Sequence, residues 1–183
     1  VRDTAKPLAI FSSAAVLSLL VAAAEGDPGE PARSLTIVGQ ERPAVLLGIG
    51  AFDFVREESR GTEGTRLEGR VELRAGQKLF YLGPFLGLRA DHDGGLLGYG
   101  GLYFDLRIGR WSVIPAGSLA GYRQGDGKRL SDGEFLFQVE LTGAYRLESG
   151  IGLGVTFAHV SNGYLARRNP GAESLLATAL IPF

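Results

Sequence analysis

Beyond Pro43 the chain alternates apolar and polar residues with a period of two, and this alternation constrains the fold more than any other feature. Residues 134–147 show it most clearly. Alternate positions there form two sets: Phe135, Phe137, Val139, Leu141, Tyr145 and Leu147 in one, and Gln138, Glu140, Thr142 and Arg146 in the other. Successive side chains of a β-strand point to opposite faces, so the pattern predicts amphipathic strands. No segment after the first 24 residues has a helical stripe, and we therefore expect an all-β chain.

The alternation divides into eight strand candidates, in a chain whose 183 residues suit one domain. The candidates are residues 44–54, 65–74, 78–90, 96–108, 111–122, 134–147, 151–160 and 173–183. Glycines are scattered through them, as expected where the strands of a small barrel bend sharply or pack closely inside. Eight strands close into a barrel whose interior is just wide enough to be filled by side chains, which excludes a solute pore.

Alternation alone leaves open whether the apolar face of such a barrel points outward into a membrane or inward to a soluble core. The lengths of the connections favour the membrane. The longer, polar connections are residues 55–64, 91–95, 123–133 and 161–172, and the shorter ones are residues 75–77, 109–110 and 148–150. Long loops at one rim and tight turns at the other are typical of outer-membrane barrels.

Two further features point the same way. The chain ends on Phe183, and a terminal aromatic there resembles the signal that bacterial outer-membrane barrels present to their assembly machinery. A strand-rich, exported chain without cysteine also suits the Gram-negative envelope. We therefore predict an eight-stranded antiparallel transmembrane β-barrel in the outer membrane, with a polar, side-chain-filled interior. Its interfacial aromatic belts are expected to contain Trp111, Tyr103, Tyr122 and Tyr145.

The N-terminal segment has the features of a secretory signal peptide. Arg2 and Lys6 precede an apolar run at residues 8–24, which ends in three alanines. A transmembrane anchor is the alternative, but the run is short and rich in Ala and Ser. The expected organisation is a signal peptide at residues 1–24, a polar N-terminal lead at 25–42 and the barrel at 43–183.

Composition excludes several kinds of function. The absence of cysteine excludes disulfides, cysteine-based zinc sites, a catalytic thiol and a lipid-bearing N-terminal cysteine. No basic cluster is large enough to suggest nucleic acid. His92, within Asp91-His92-Asp93-Gly94-Gly95, could suggest a metal, but a solvated turn is the more ordinary explanation. We expect neither a metal nor a cofactor.

Three residues suited to ester cleavage interrupt the apolar face of the last two strand candidates: His159, Ser161 and Glu173. Residues of the same parity are Ile151, Leu153, Val155 and Phe157 in one strand and Leu175, Ala177, Ala179, Ile181 and Phe183 in the other. Polar groups on such a face are costly unless they are paired or used. Because the two strands form one hairpin, we expect Glu173 across from His159, near the rim with the long loops.

These three residues form the parts of an acyl-transfer site. A serine hydroxyl is a weak nucleophile until a base removes its proton, and the base needs a third group that fixes its tautomer. Ser161, His159 and Glu173 supply a nucleophile, a base and a carboxylate. Two residues of strand span about 7 Å, a gap that a leaning imidazole can close.

The connecting loop contains candidate donors for the oxyanion of a tetrahedral intermediate. Asn162 and Asn169 carry side-chain N–H groups, Gly163 offers a backbone one, and Pro170-Gly171 is expected to fix a turn that holds Asn169. Each feature alone has an ordinary explanation, because Asn-Gly and Asn-Pro-Gly are common turns and a glutamate at a rim is usually solvated. Their conjunction on one apolar face favours function.

The same residues and spacing resemble the lipid A 3-O-deacylases of the PagL type. The resemblance covers His159-x-Ser161-Asn162, Asn169 ten positions after the histidine, Glu173 fourteen after it, and the apolar strand to the terminal Phe. It implies an outer-membrane barrel of eight strands with its active site on the outer wall, and a serine hydrolase that removes the ester-linked 3-hydroxyacyl chain at the 3-position of lipid A. It also implies roles: Ser161 as nucleophile, His159 as base, Glu173 as acid member, and Asn162 and Asn169 as supporting residues.

Lipid A and the surrounding outer-membrane lipids are therefore the expected partners, and a homodimer is left open. Two other functions also remain open. One is a non-enzymatic outer-membrane barrel that acts through its external loops, residues 56–60 and 123–133. The other is a soluble secreted barrel with a ligand inside, which would partition into water without detergent.

Overall fold

The structure, a computed structural model, describes residues 34–54, 65–126, 130, 135–165, 169 and 171–183. The predicted signal peptide and the loop at residues 56–60 lie outside them. The strands of the described residues are β1 (Leu35–Ile37), β2 (Ala44–Phe52), β3 (Arg66–Arg74), β4 (Gly83–Asp91), β5 (Leu96–Tyr103), β6 (Leu106–Ile108), β7 (Trp111–Arg123), β8 (Phe135–Arg146), β9 (Gly152–Ser161) and β10 (Ala172–Pro182). None of the described residues belongs to a helix of the length and hydropathy needed for a membrane span.

Eight of these strands close into an antiparallel barrel, which confirms the predicted fold. The order around the barrel is β2-β3-β4-β5-β7-β8-β9-β10, and β10 pairs with β2 to complete the circle. Closure matters because an open sheet edge would leave backbone N–H and C=O groups unpaired in hydrocarbon. The short β6 continues β5 along the same edge of β7, so the two correspond to the single predicted strand at 96–108. β1 was not predicted, and it pairs with β6.

The outer wall of the barrel is apolar and its interior is polar, as the alternation predicts. Large apolar side chains exposed on the outside are Leu47, Ile49, Leu67, Val71, Leu73, Leu86, Leu88, Leu102, Leu119, Phe135, Phe137, Val139, Leu153, Val155 and Leu175. Buried polar side chains inside are Arg66, Glu68, Arg70, Glu72, Arg74, Arg89, Ser118, Gln138, Glu140, Thr142, Thr156, Ser174 and Thr178. This inverted arrangement is that of a membrane barrel, in which hydrocarbon is the outer solvent.

Ion pairs join the charged side chains of the interior. The pairs are Arg70–Glu72, Arg70–Glu140, Arg74–Glu72 and Arg89–Glu68. Arg74 Nε lies 2.6 Å from Glu72 Oε1, and Arg89 Nη2 lies 2.6 Å from Glu68 Oε2. A buried charge without a partner is strongly destabilising, so the charged residues inside the barrel need one another as partners.

Two tyrosines fill the space that glycines leave inside the barrel. A Cβ atom on Gly87 would come within 2.5 Å of the Tyr99 ring, and one on Gly83 within 2.5 Å of the Tyr103 ring. The glycines on β4 thus make room for the aromatic rings of the neighbouring β5. Both tyrosines are almost fully buried.

The predicted aromatic belt is therefore wrong for two of its four members. Tyr103 points into the barrel, and Tyr122 is partly buried against the interior cluster. Alternate residues of β5 point inward, and Tyr103 shares this inward face with Leu97 and Tyr99. Trp111 and Tyr145 do pack together, with ring centroids 5.1 Å apart.

Residues 34–42 of the predicted N-terminal lead lie at one mouth of the barrel. Glu41 forms ion pairs with Lys78 at 2.7 Å, Arg107 at 3.3 Å and Arg146 at 3.5 Å. Burial favours the neutral acid, yet the three cations hold the pKa of Glu41 below its usual range. The chain end lies at the same mouth, where the Phe183 N–H donates to the Pro43 carbonyl at 2.9 Å.

The predicted tight turn at residues 75–77 is wrong, because β3 ends at Arg74 and β4 begins only at Gly83. Residues 79–82, four consecutive apolar residues, looked like the start of a strand but form a turn that projects from this mouth. The other connections at this end, residues 109–110 and 147–151, are short.

Candidate active site

At the opposite end of the barrel, β9 and β10 bring His159 and Glu173 together. The two residues are direct partners in the antiparallel register, which confirms the expected pairing. Their side chains share the outward face with Val155, Phe157 and Leu175. Directly opposed side chains on a sheet are close enough for contact, so the register alone sets up this pair.

A hydrogen bond joins the imidazole to the carboxylate. His159 Nδ1 lies 3.1 Å from Glu173 Oε1, and the two side chains are 23% and 27% exposed. An ionised carboxylate can only accept, so this bond favours the neutral tautomer with its proton on Nδ1, in which Nε2 is the acceptor. Glu173 is itself anchored, because its carbonyl accepts a 2.7 Å hydrogen bond from the Asp53 N–H.

Ser161 is the last residue of β9, two positions beyond His159 and on the same outward face. Its partner across the sheet is Phe137 of β8. Within the described residues, no hydrogen bond joins the Ser161 hydroxyl to His159. Such a gap is common in catalytic sites without substrate, where the bond between nucleophile and base tightens on binding.

The loop after Ser161 is held by two asparagines. The Asn162 N–H donates to Asn169 Oδ1 at 2.8 Å, and Asn162 Oδ1 accepts from the Tyr164 N–H at 2.9 Å. Asn162 is almost fully buried, so its side chain shapes the turn that contains Gly163 and Tyr164, both with positive φ. The Asn169 oxygen faces the backbone, which leaves the amide N–H groups of Asn169 as its donors to other groups.

Gly171 keeps the space between the base and the hydroxyl open. Its φ is +58°, and a Cβ atom there would lie 3.1 Å from the Val160 carbonyl oxygen and 3.4 Å from His159 Cε1. The same atom would lie 3.7 Å from Ser161 Cβ. Sequence analysis assigned Gly171 only to a turn, and its proximity to both site residues follows from the loop path. Pro170 lies outside the described residues.

Aromatic residues border the site, and sequence analysis did not single them out. Asp53 has a φ of +54° and turns the chain after β2, which brings the Phe54 ring against Phe157 with centroids 6.4 Å apart. Phe137 lies against the position that a Gly163 Cβ would occupy, at 3.3 Å. The polar triplet is thus surrounded by apolar surface, a setting suited to a substrate with hydrocarbon chains.

Three comparisons with known proteins bear on this arrangement. The family model described as "PagL: Lipid A 3-O-deacylase (PagL)" matches residues 52–181. The solved structure titled "Crystal structure of the outer membrane enzyme PagL" matches with a TM-score of 0.60 and 17% identity, over 76% of this chain and 99% of that chain. A backbone structure of the Yersinia pestis outer membrane protein Ail in a phospholipid bilayer nanodisc matches with a TM-score of 0.48 and 11% identity, over 77% and 100%. No curated protein sequence gives a significant match.

Proposed function

The chain belongs to the lipid A 3-O-deacylase (PagL) family of outer-membrane β-barrel enzymes, and we propose that it cleaves the ester-linked 3-hydroxyacyl chain at the 3-position of lipid A by a serine esterase mechanism. The observation that carries this proposal is the 3.1 Å hydrogen bond between His159 Nδ1 and Glu173 Oε1 on the outer wall. An imidazole oriented by a carboxylate, with a serine two residues away, is the arrangement that activates a hydroxyl nucleophile.

In the first half of the reaction, Ser161 Oγ attacks the ester carbonyl carbon. His159 Nε2 accepts the hydroxyl proton, and Glu173 stabilises the imidazolium that forms. The tetrahedral intermediate collapses when the bond to the sugar oxygen breaks. His159 returns its proton to that oxygen, which leaves the sugar with a free 3-hydroxyl and the enzyme with an acyl-serine.

The developing oxyanion requires donors on the loop side of Ser161. Asn169 Nδ2 and the Gly163 backbone N–H are the groups that we propose for this role, while Asn162 supports them by holding the turn. Each oxyanion donor typically lowers the barrier by about 3–4 kcal/mol. In the second half of the reaction, water attacks the acyl-serine with His159 as base, which releases a 3-hydroxy fatty acid and restores Ser161.

The position of the site on the wall suits a membrane-bound substrate. The apolar side chains of Phe157 and Leu175 share the outward face with the polar triplet, so an acyl chain along this face stays in contact with hydrocarbon. The substrate approaches sideways from the leaflet and need not leave the membrane. The cost of moving a long acyl chain out of hydrocarbon into water is therefore avoided.

Two accompanying proposals concern the rest of the chain. Residues 1–24 act as an export signal, residues 25–42 as a lead and residues 43–183 as the barrel. Phe183, 59% exposed, interacts with the outer-membrane assembly machinery. The oligomeric state, a homodimer included, is open to direct measurement.

Mass spectrometry of lipid A from Gram-negative cells that express the wild-type chain or Ser161→Ala tests the proposal. We expect loss of one 3-hydroxyacyl group with the wild type only. Ser149→Ala is the matched control, because Ser149 lies in the turn between β8 and β9 at the other end of the barrel. The control should deacylate like the wild type.

Two results would contradict the mechanism. Deacylation by folded Ser161→Ala would exclude Ser161 as nucleophile. Unchanged lipid A with the wild type and both variants, each shown to be folded in the outer membrane, would favour the non-enzymatic alternative that acts through the external loops.

A further inference from the structure

The turn between β3 and β4 presents two aromatic residues in an unusual backbone conformation. Leu79 and Leu82 form an isolated antiparallel bridge, in which each N–H donates to the carbonyl of the other at 3.0 and 2.9 Å. The two central residues, Phe80 and Tyr81, have φ angles of +48° and +68°. Two consecutive positive φ angles define a two-residue hairpin turn of type I′.

The backbone of this turn does not explain its sequence. Turns of type I′ favour Asn-Gly or Gly-Gly, because a residue with a Cβ atom in the left-handed region costs about 1–2 kcal/mol. Phe80 and Tyr81 both carry this cost, and their side chains are 85% and 51% exposed rather than packed in the barrel. Strained conformations that persist with large side chains point to a use for those side chains.

The turn is held rigidly at its base. Gln40 Nε2 donates to the Lys78 carbonyl at 2.9 Å, and the Lys78 N–H donates back to Gln40 Oε1 at 3.2 Å. Lys78 Nζ also forms the ion pair with Glu41. Polar and charged groups at the base of the turn thus contact the lead. The Tyr81 ring also lies beside the lead, because a Cβ atom on Gly39 would come within 3.8 Å of it, whereas Phe80 at the tip is exposed.

The tip continues the apolar outer wall of the barrel. The nearest outward pair on the two strands is Leu73 and Leu86, which are register partners and are 47% and 60% exposed. The sequence from Leu79 to Leu88 contains no charged residue. At the same mouth, Leu35 on β1 is 58% exposed. The outer wall is the surface that contacts membrane lipid. Because the turn continues this apolar surface, we expect the turn to contact lipid as well.

We propose that the Leu79–Leu82 turn inserts into the periplasmic leaflet of the outer membrane and binds phospholipid at the boundary between headgroups and acyl chains. Aromatic side chains are enriched at this boundary because they combine apolar rings with polarisable or polar groups. The turn lies at the mouth that carries the chain end and the short connections, away from the His159–Glu173 pair. The short turns of outer-membrane barrels face the periplasm, which assigns this mouth to the periplasmic leaflet. The inserted turn fixes the height of the barrel in the bilayer, and the proposal depends on the membrane location but not on the esterase mechanism.

Depth-dependent fluorescence quenching tests the insertion. Trp111 is the only tryptophan, so Trp111→Phe provides a background into which single tryptophans can be placed. The probes are Phe80→Trp at the tip, Leu86→Trp on the wall and Gln77→Trp on the exposed base of the turn. Each full-length variant is folded into phosphatidylcholine vesicles with acyl chains brominated near the headgroup or near the chain end, and folding is checked by the heat-dependent gel shift of intact barrels.

We expect blue-shifted emission from Phe80→Trp, with stronger quenching by bromine near the headgroup and little quenching by aqueous iodide. Leu86→Trp should respond more to deeper bromine, and Gln77→Trp mainly to iodide. Quenching of Phe80→Trp by iodide but not by brominated lipid would overturn the proposal in favour of a solvated turn. Protection from both quenchers that depends on the protein-to-lipid ratio would overturn it in favour of contact with a second copy. If Phe80→Trp does not fold, Tyr81→Trp gives the same readout.

Discussion

Two polar clusters on the same barrel differ in burial and in how many ion pairs or hydrogen bonds join their members. The core cluster, Arg70, Glu72 and Glu140, points into the barrel, and its side chains are fully buried and joined by more than one ion pair. The wall cluster, His159, Ser161 and Glu173, points outward, with its two ionisable side chains about one quarter exposed and joined by a single hydrogen bond. The core cluster follows the alternation and lies where the fold itself needs polar groups, whereas the wall cluster interrupts an apolar face.

This difference in burial and pairing distinguishes polar residues that stabilise the fold from polar residues that serve a function. Inside the barrel, a charge without a partner would be costly, so each member of the core cluster stabilises the others. On the wall, apolar side chains at the same positions would suit the membrane better, so the fold gains little from the wall cluster. We therefore expect substitutions in the wall cluster to change catalysis and substitutions in the core cluster to change stability.

Ser161→Ala is the substitution with the largest expected effect. Without the nucleophile, the deacylation rate should fall about 10⁴-fold or more, as in other enzymes that depend on a serine triad. The midpoint of urea unfolding should stay at the wild-type value, because the hydroxyl has no partner among the described residues. Initial rates on lipopolysaccharide in vesicles and urea titrations of the same preparation measure both. A large loss of stability would show that the wall cluster is structural as well.

Glu72→Gln should produce the converse result in the core cluster. It leaves Arg70 and Arg74 without one of their carboxylate partners, and the expected decrease in the free energy of unfolding is about 3–5 kcal/mol. The folded fraction should deacylate at close to the wild-type rate, because Glu72 lies inside the barrel, away from the wall cluster. Urea unfolding followed by the gel shift of the barrel measures the loss. Unchanged stability would mean that the interior pairs contribute little.

Glu173→Gln tests how far exposure weakens the orienting carboxylate. Loss of the carboxylate should lower the rate by about 10²–10³-fold, less than the ~10⁴-fold effect in a fully buried triad, because water at this partly exposed position can partly replace the carboxylate. Stability should change little. A decrease in rate as large as that of Ser161→Ala would indicate that water is excluded from the carboxylate during the reaction.

Glu41 belongs to a third cluster, at the mouth that carries Phe183, and should show the smallest effect. Its pKa is lowered in the folded protein, so its contribution to stability is present above the unfolded pKa and is lost as the pH falls through the folded one. For a partly exposed pair we expect at most about 1 kcal/mol. Urea unfolding of wild type and Glu41→Gln at pH 7 and pH 3 checks this. The difference between the two proteins should shrink at the lower pH, and a constant difference would exclude an ionic contribution.

The alternation of residues predicted most of the barrel but not its irregular end. β8 and β10 begin and end within one residue of their predicted limits, and the interior is polar as expected. The predicted start of β4 was wrong by five residues, because residues 79–82 have the composition of a strand while their backbone forms a turn. Tyr103 was assigned to the outside although it has the parity of the inward Tyr99, because the sequence does not show that Gly83 on the neighbouring strand leaves room for its ring.

For the site, period two placed His159, Ser161 and Glu173 on one face, because side-chain direction in a strand is a local property of the backbone. Because β9 and β10 form one hairpin, the sequence also predicted that Glu173 lies across from His159. The φ of +58° at Gly171 and the contact between Phe54 and Phe157 depend instead on how separate loops meet at the rim. The sequence by itself thus determined the faces, since each residue needs only its neighbours to decide them. The tertiary structure decided distances and hydrogen bonds, because these depend on closure of the whole barrel.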